Sequence, residues 1–123
     1  MKFSEDRETG LYRLEAYGDD WVQVNDERIK TAFILSSSAL ITTQLPEKFG
    51  QLQEHHLGKL FQQNTEIVII GTGATQRLPT PEIFQALINN NTGFEFMTTA
   101  AACRTYKILN AEGRSVSALL FPT

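Results

Sequence analysis

Apolar and polar side chains alternate over residues 11–17, LYRLEAY, with Leu11, Arg13, Glu15 and Tyr17 on one parity and Tyr12, Leu14 and Ala16 on the other. Period-two alternation predicts a strand. Gly18-Asp19-Asp20 predicts a turn, Trp21, Val22 and Val24 a short strand, and Asn25-Asp26-Glu27 another turn. RIKTAFIL at 28–35 and ALITTQL at 39–45 predict two more strands, divided by Ser36-Ser37-Ser38. The first 45 residues are therefore expected to be β-rich, with turns at hairpin intervals.

The period changes after Pro46. Phe49, Leu52, His56, Leu57, Leu60 and Phe61 fall at helix-like spacings and predict a helix over 47–63, with Gly58 its weak point. Residues 67–70 are uninterrupted and β-branched, as in a strand covered on both faces. Thr80-Pro81-Glu82 opens a helix: a threonine cap, a proline at the first helical position, and a carboxylate near the positive end of the dipole. Ile83, Phe84, Leu87 and Ile88 give that helix an apolar face, and Asn89 to Gly93 stop it. Phe94 to Met97 predict a short strand. Thr98 or Thr99 caps a third helix ending near Gly113, with Ala102, Tyr106 and Leu109 on one stripe. Val116 to Phe121 predict the final strand. Strand–helix–strand–helix–strand order favours right-handed crossovers and a parallel or mixed central sheet. The expected architecture is one compact, layered α/β domain spanning 1–123, its β-rich first half packed beside the β-α-β-α-β half.

Composition narrows the function classes. The chain has 123 residues, 41% hydrophobic and 20% charged, enough to build a core without a disulfide or metal. A net charge of −3 argues against nucleic-acid binding dominated by phosphate contacts. One cysteine, Cys103, excludes an intrachain disulfide and points to a reducing compartment. MKFSEDRETG at the amino terminus lacks an apolar core and carries Glu5, Asp6 and Glu8, unlike a secretory signal. No apolar run is long enough to span a membrane. The cytoplasm is the expected location.

EIVIIGTGAT at 66–75 has the look of a cofactor turn. A dinucleotide fingerprint needs G-x-G-x-x-G tight against its helix. Here Gly71-Thr72-Gly73 is followed by Ala74-Thr75-Gln76, and the helix starts only near Pro81. A Walker lysine is also missing. The glycines are better explained as a sharp strand ending with close backbone approach. The loop 71–80 still lies beyond the carboxyl end of a strand, where α/β sheets bind ligands, and the next helix start offers free N–H groups. Arg77, Arg104 and Arg114 lie in the same half, and their guanidinium forks recognise carboxylates and phosphates. Ordinary structural ion pairs, such as Glu112 with Arg114, are the alternative.

Elsewhere the chemistry is sparse. Cys103 lies in an alanine-rich helix, the setting of a packed thiol rather than a nucleophile. His55 and His56 diverge by about 100° on a helix and cannot chelate one metal together. The serines at 36–38 have no nucleophile-elbow context. No residue is assigned a catalytic role, and no metal or cofactor is expected.

Three stretches, GTGATQRLPTPEIFQAL, FEFMTTAAACRTYKIL and AEGRSVSALLFP, resemble the Mth-type (Mth938-like) domain of unknown function. The likeness runs over 66–122 and, less closely, over 11–45. The family pattern is matched at Gly71-Thr72-Gly73, Met97-Thr98-Thr99, Thr105-Tyr106 and Glu112-Gly113-Arg114. The chain departs at Lys107, where the family usually has Asn. The resemblance implies a layered α/β fold and no established enzyme activity. Its relatives include a mitochondrial respiratory complex I assembly factor. The expectation is an interaction or assembly module with a protein partner or a second copy of itself. The rival is a small-molecule or anion binder, an enzyme included, using the 71–80 loop and nearby arginines: Gly71, Thr72, Gly73, Arg77, Thr98, Arg104 and Arg114.

Overall fold

The computed structural model describes residues 11–123; the amino-terminal stretch used above to argue against a secretory signal lies outside the described residues. Among the described residues eight strands and three α-helices run in the order β1 (Leu14–Tyr17), β2 (Val22–Val24), β3 (Glu27–Ile29), β4 (Phe33–Leu35), β5 (Leu40–Ile41), α1 (Gly58–Phe61), β6 (Ile67–Gly71), α2 (Pro81–Asn89), β7 (Gly93–Met97), α3 (Thr99–Ala111) and β8 (Val116–Leu120). Strands β1-β2-β3 form an antiparallel sheet, and the other five form a mixed sheet in the order β5-β4-β8-β6-β7. Strand β6 is parallel to both β7 and β8, whereas β4 runs antiparallel to β8. The α/β class and the mixed sheet follow the pattern expected from the sequence.

The five-stranded sheet is covered on both faces. On one face Ile34, Val68, Ile70, Phe96 and Leu119 pack with Phe49, Leu52, Leu57 and Leu60 and with Ile83 and Leu87 of α2. On the other, Phe33, Leu35, Ile69, Ala118 and Leu120 pack with Ala102, Cys103 and Tyr106 of α3 and with Leu14, Val22, Val24 and Ile29 of the small sheet. Successive residues of β4, β6 and β8 thus feed opposite cores, which is why β4 and β6 read as apolar runs and β8 departs from one only at Ser117, whose hydroxyl is hydrogen-bonded to that of Thr65. Helices α2 and α3 lie on opposite faces, so the connections leaving β6 and β7 part in opposite directions.

Several boundaries differ from the sequence reading. The 28–35 strand is two strands in two sheets. Over 27–31 only Ile29 is buried, but from Ala32 to Leu35 every residue is. The change from one covered side to two marks the passage from outer to central sheet. Strand β1 starts three residues later than expected, because Asn25 clips the preceding segment. Its amide Nδ2 donates to the Leu11 carbonyl and its Oδ1 accepts the Arg13 N–H. Of 39–45 only Leu40–Ile41 pairs, and Gln44, at φ 63, turns the chain away. The 47–63 helix is replaced by two 3-10 turns, Phe49–Gln51 and Glu54–Leu57, followed by the short α1. Leu52 and Gln53 between the turns are extended. The buried pairs Phe49/Leu52 and Leu57/Leu60 are each three apart, the 3-10 period, but Leu52 and Leu57 are five apart and would face different ways on one helix.

Candidate functional site

In a sheet of this kind the crevice for a ligand opens where neighbouring strands send their connections to opposite faces, beyond the carboxyl ends. Here that point lies between β6 and β7, at Gly71-Thr72-Gly73 and Met97-Thr98-Thr99. The parallel pairing of β6 with β7 brings these two motifs together, but their groups are already engaged with one another. The Thr72 N–H donates to the Met97 carbonyl at 2.9 Å, and the Thr99 N–H to the Gly73 carbonyl at 2.9 Å. The Gly73 N–H donates to Thr99 Oγ1 at 2.9 Å, and Thr99 Oγ1 donates to the Phe121 carbonyl at 2.6 Å. Phe121 N–H returns to the Gly71 carbonyl at 3.1 Å. Thr99, a buried side chain, therefore joins the β6 loop, the start of α3 and the end of β8.

Gly71 is required by this closure. A Cβ there would meet Thr99 Oγ1 at 2.9 Å, Thr99 Cα at 3.0 Å and Leu120 Cδ2 at 2.9 Å. Gly73 is at φ +103, where side chains are strained. Thr72 turns its hydroxyl onto its own loop, donating to the Thr75 carbonyl and accepting the Arg77 N–H. Thr98, not Thr99, caps α3, accepting the Ala101 N–H at 3.2 Å. The role of Thr99 was the part that capping patterns do not reveal. A cleft of about 210 Å³ remains outside this closure, bordered by Gly18, Asp19, Gly73, Ala74, Thr98, Thr99, Ala100 and Pro122.

The three arginines do not converge. Arg77 leaves the carboxyl end of β6 and lies 5.5 Å over the Phe49 ring, against Gly50. Arg114 lies at the opposite end of the same strand, 3.6 Å from Glu66 rather than paired with Glu112. Both partners are well exposed, so this ion pair contributes little. Arg104 donates to the Tyr17 hydroxyl at 3.1 Å, and Lys107 donates to the Glu15 carbonyl at 3.1 Å. The Lys107 that departs from the family pattern thus helps tie α3 to β1.

Cys103 is completely buried, and desolvation pushes its thiol up to about 12, against smaller opposing effects of Lys107 and Arg104. A thiol held protonated is a packing group. Beside it, Tyr106 is buried with its hydroxyl unpartnered, and desolvation raises the phenol well above its usual range. Among the described residues no three of His, Cys, Asp and Glu gather as a metal site, and no helix is long and apolar enough to cross a membrane.

One surface feature stands apart. Of the four apolar residues expected on one face of α2, Ile83 and Leu87 are buried, but Phe84 and Ile88 are 47% and 48% exposed. The signal was present in the sequence: two i, i+4 pairs side by side make a stripe wider than one contact needs. Phe84 stacks edge-on against Phe94 at 5.5 Å, Phe94 against Phe96 at 6.1 Å, and Phe96 against Phe49 at 6.0 Å. A ladder of rings thus roots the exposed Phe84 in the core. Leu78, in the loop leading to α2, is 78% exposed.

Comparison with known proteins agrees with this architecture. A Francisella tularensis protein named 13 kDa major membrane protein is 34% identical over 90 residues, 71% of this chain and 72% of its own length. A mouse protein, NADH dehydrogenase (ubiquinone) 1 alpha subcomplex assembly factor 3, is 38% identical over 64 residues. That match covers 51% of this chain but only 34% of the mouse protein. A Bordetella parapertussis crystal structure superposes with a TM-score of 0.84 at 32% identity, covering 94% of this chain and 99% of the other. A Bordetella pertussis solution structure, described as a Mth938-like domain, gives 0.79 at 28% identity, with 99% and 92% covered. The family described as "Protein of unknown function (DUF498/DUF598)" matches residues 14–121. With almost the whole described chain matched and the fold shared, the protein belongs to this Mth938-like family of unknown function.

Proposed function

We propose that the protein is a non-enzymatic interaction module that serves in assembling a larger protein complex, and that it docks through the outward face of α2. The observation that carries this reading is the exposed pair Phe84 and Ile88, of which Phe84 is stacked edge-on against Phe94 and through it against Phe96. Aromatic anchors fixed before binding lose little side-chain freedom on association, and such residues dominate interface energies. The name of the mouse relative supports an assembly role, and the reading extends it to this chain. The buried, protonated Cys103 is consistent with work in the cytoplasm. The rival reading, an anion site built from Gly71, Thr72, Gly73, Thr98 and the three arginines, has less support. The loop donors are engaged internally and the guanidinium groups lie apart.

The test is affinity capture from the native organism at native expression, comparing wild type with Phe84→Asp/Ile88→Asp, together with light scattering of the purified protein. A reproducible partner, or a dimer, that is lost in the double variant is the expected result. Recovery of the wild type alone and monomeric would count against the proposal. Both residues are about half exposed, and a melting curve like that of the wild type checks that the variant keeps its fold.

A further inference from the structure

A second opening lies away from the glycine crevice. It is a cleft of about 620 Å³ between residues 43–45 and the 55–62 segment, lined by Thr43, Gln44, Leu45, His55, His56, Gly58, Lys59 and Gln62. Its volume falls in the range of small-molecule sites. Its polar wall is made of hydrogen-bond donors and bases, and among the described residues no carboxylate lines it, although the chain as a whole is acidic. The nearest carboxylate in sequence, Glu54, borders an adjoining cleft together with Gln53, His55, Gly58 and Phe61, so His55 and Gly58 stand between the two openings.

The side chains are set by the local fold. His56 Nδ1 accepts the Gln53 N–H at 2.9 Å. An accepting Nδ1 carries no proton, so the neutral ring keeps its hydrogen on Nε2 and remains a donor. The His55 ring lies against it, with centroids 4.0 Å apart. Lys59 follows His55 by four residues, one turn on, as the 3-10 turn runs into α1. Gly58 has nothing within 4 Å of where a Cβ would stand, so the floor between the two is open. Across the cleft Gln44 is held at φ 63; the other non-glycine residues with positive φ among those described are all asparagines, which tolerate it better. A glutamine in this region is a costly backbone feature, of a kind that clusters at ligand clamps.

We propose that this cleft binds a small phosphate-bearing metabolite, with Lys59, His55 and His56 holding the phosphate and Leu45 and the imidazole faces packing against the organic part. Ammonium and imidazole N–H groups on one side supply charge-assisted hydrogen bonds to a phosphate. Gln44, Gln62 and Thr43 supply neutral ones to the remainder of the ligand. The volume exceeds what a bare phosphate fills, which is the reason for assigning an organic part. The proposal stands independently of the docking role of α2.

Amide chemical shifts followed during titration with inorganic phosphate and with phenyl phosphate, at ionic strength held constant with sodium chloride, test it. Saturable shifts confined to 43–45 and 55–62 are expected, with phenyl phosphate binding the tighter of the two. Lys59→Gln and His55→Gln should each weaken that binding by about tenfold, since each removes a hydrogen bond to a charged group. Both side chains are exposed, and unchanged melting of the variants confirms that the fold is intact. Shifts that do not saturate, that follow basic side chains over the whole surface, or that survive both substitutions would overturn the proposal. Equal affinity for the two probes would overturn the assignment of an organic part.

Discussion

The carboxyl end of β6 and the segment 47–62 make an instructive pair. The first carries a glycine motif that looks built for a cofactor, and the structure closes it with Thr99 and a chain of backbone hydrogen bonds. The second carries no recognised motif, and it borders an open polar cleft of about 620 Å³. Glycine has opposite meanings in the two places. Gly71 is there because another element occupies the space of its side chain, and Gly58 faces empty space. A glycine motif therefore reports close approach of something; what approaches here is the protein itself.

Substitutions at those two glycines give the sharpest contrast. Gly71→Ala should destabilise by about 2–3 kcal/mol, because its Cβ meets backbone as well as side chains at 3.0 Å or less. Thermal melting should show a drop of roughly 10 °C for a domain this size. A change of less than about 2 °C would mean that the closure is loose and the crevice can open. Thr99→Val comes next. It keeps the shape and removes the hydroxyl, stranding the Gly73 N–H and the Phe121 carbonyl, for a loss of about 2 kcal/mol. Denaturant titration measures it; a neutral result would break the claim that Thr99 locks the site. Gly58→Ala should move the other way, stabilising by about 0.5–1 kcal/mol, since residue 58 already has helical angles (φ −55, ψ −49) and free space around it. A destabilised Gly58→Ala would mean that the second region is less open than it looks.

The smallest expected effect is of pH. Burial, followed by the neighbouring His55, lowers the pKa of His56 below its ordinary value of 6.5. The folded protein thus binds this proton less readily than the unfolded chain. Stability from this group is complete above pH 6.5 and is lost as pH falls through the lowered folded-state value. Melting curves from pH 7.5 downward should show a small decline in wild type that is reduced in His56→Gln. Identical profiles would place the ring in a more watery setting than the hydrogen bond to Gln53 implies.

Much of the fold was legible because local chemistry and tertiary role coincide there. Thr80-Pro81-Glu82 starts a helix by its own capping chemistry, and Ile67–Ile70 announces a strand covered on both faces. The 47–62 segment was misread because its apolar spacings are each compatible with a helix taken in pairs, whereas their sum is not. The pairs Phe49/Leu52 and Leu57/Leu60 belong to separate short turns joined by extended backbone. The crossing of 28–35 between sheets was written in its burial pattern but needed the partner strands to interpret. At the candidate site, the pairing of β6 with β7 sets Gly71 to Gly73 beside Met97 to Thr99, an adjacency that no local motif states. Which threonine capped and which locked depended on the reach of a side chain to Phe121, more than twenty residues on. Distances of that kind are set by the register of β6 against β8, not by any local signal. The scattering of Arg77, Arg104 and Arg114 has the same origin, since opposite ends of one strand are near in sequence to quite different loops.

The placement of β8 also bears on how this protein comes into being. It is the last strand to leave the ribosome among those described, yet it lies between β4 and β6 and supplies residues to both cores. Until it emerges, β4 and β6 have no partner at their inner edges, and their apolar residues are open to other chains. Its pairing with β4 spans more than eighty residues of chain, a long closure that slows folding. The nascent chain is therefore expected to complete its sheet only when synthesis of the domain is nearly finished, and to depend on protection from aggregation until then.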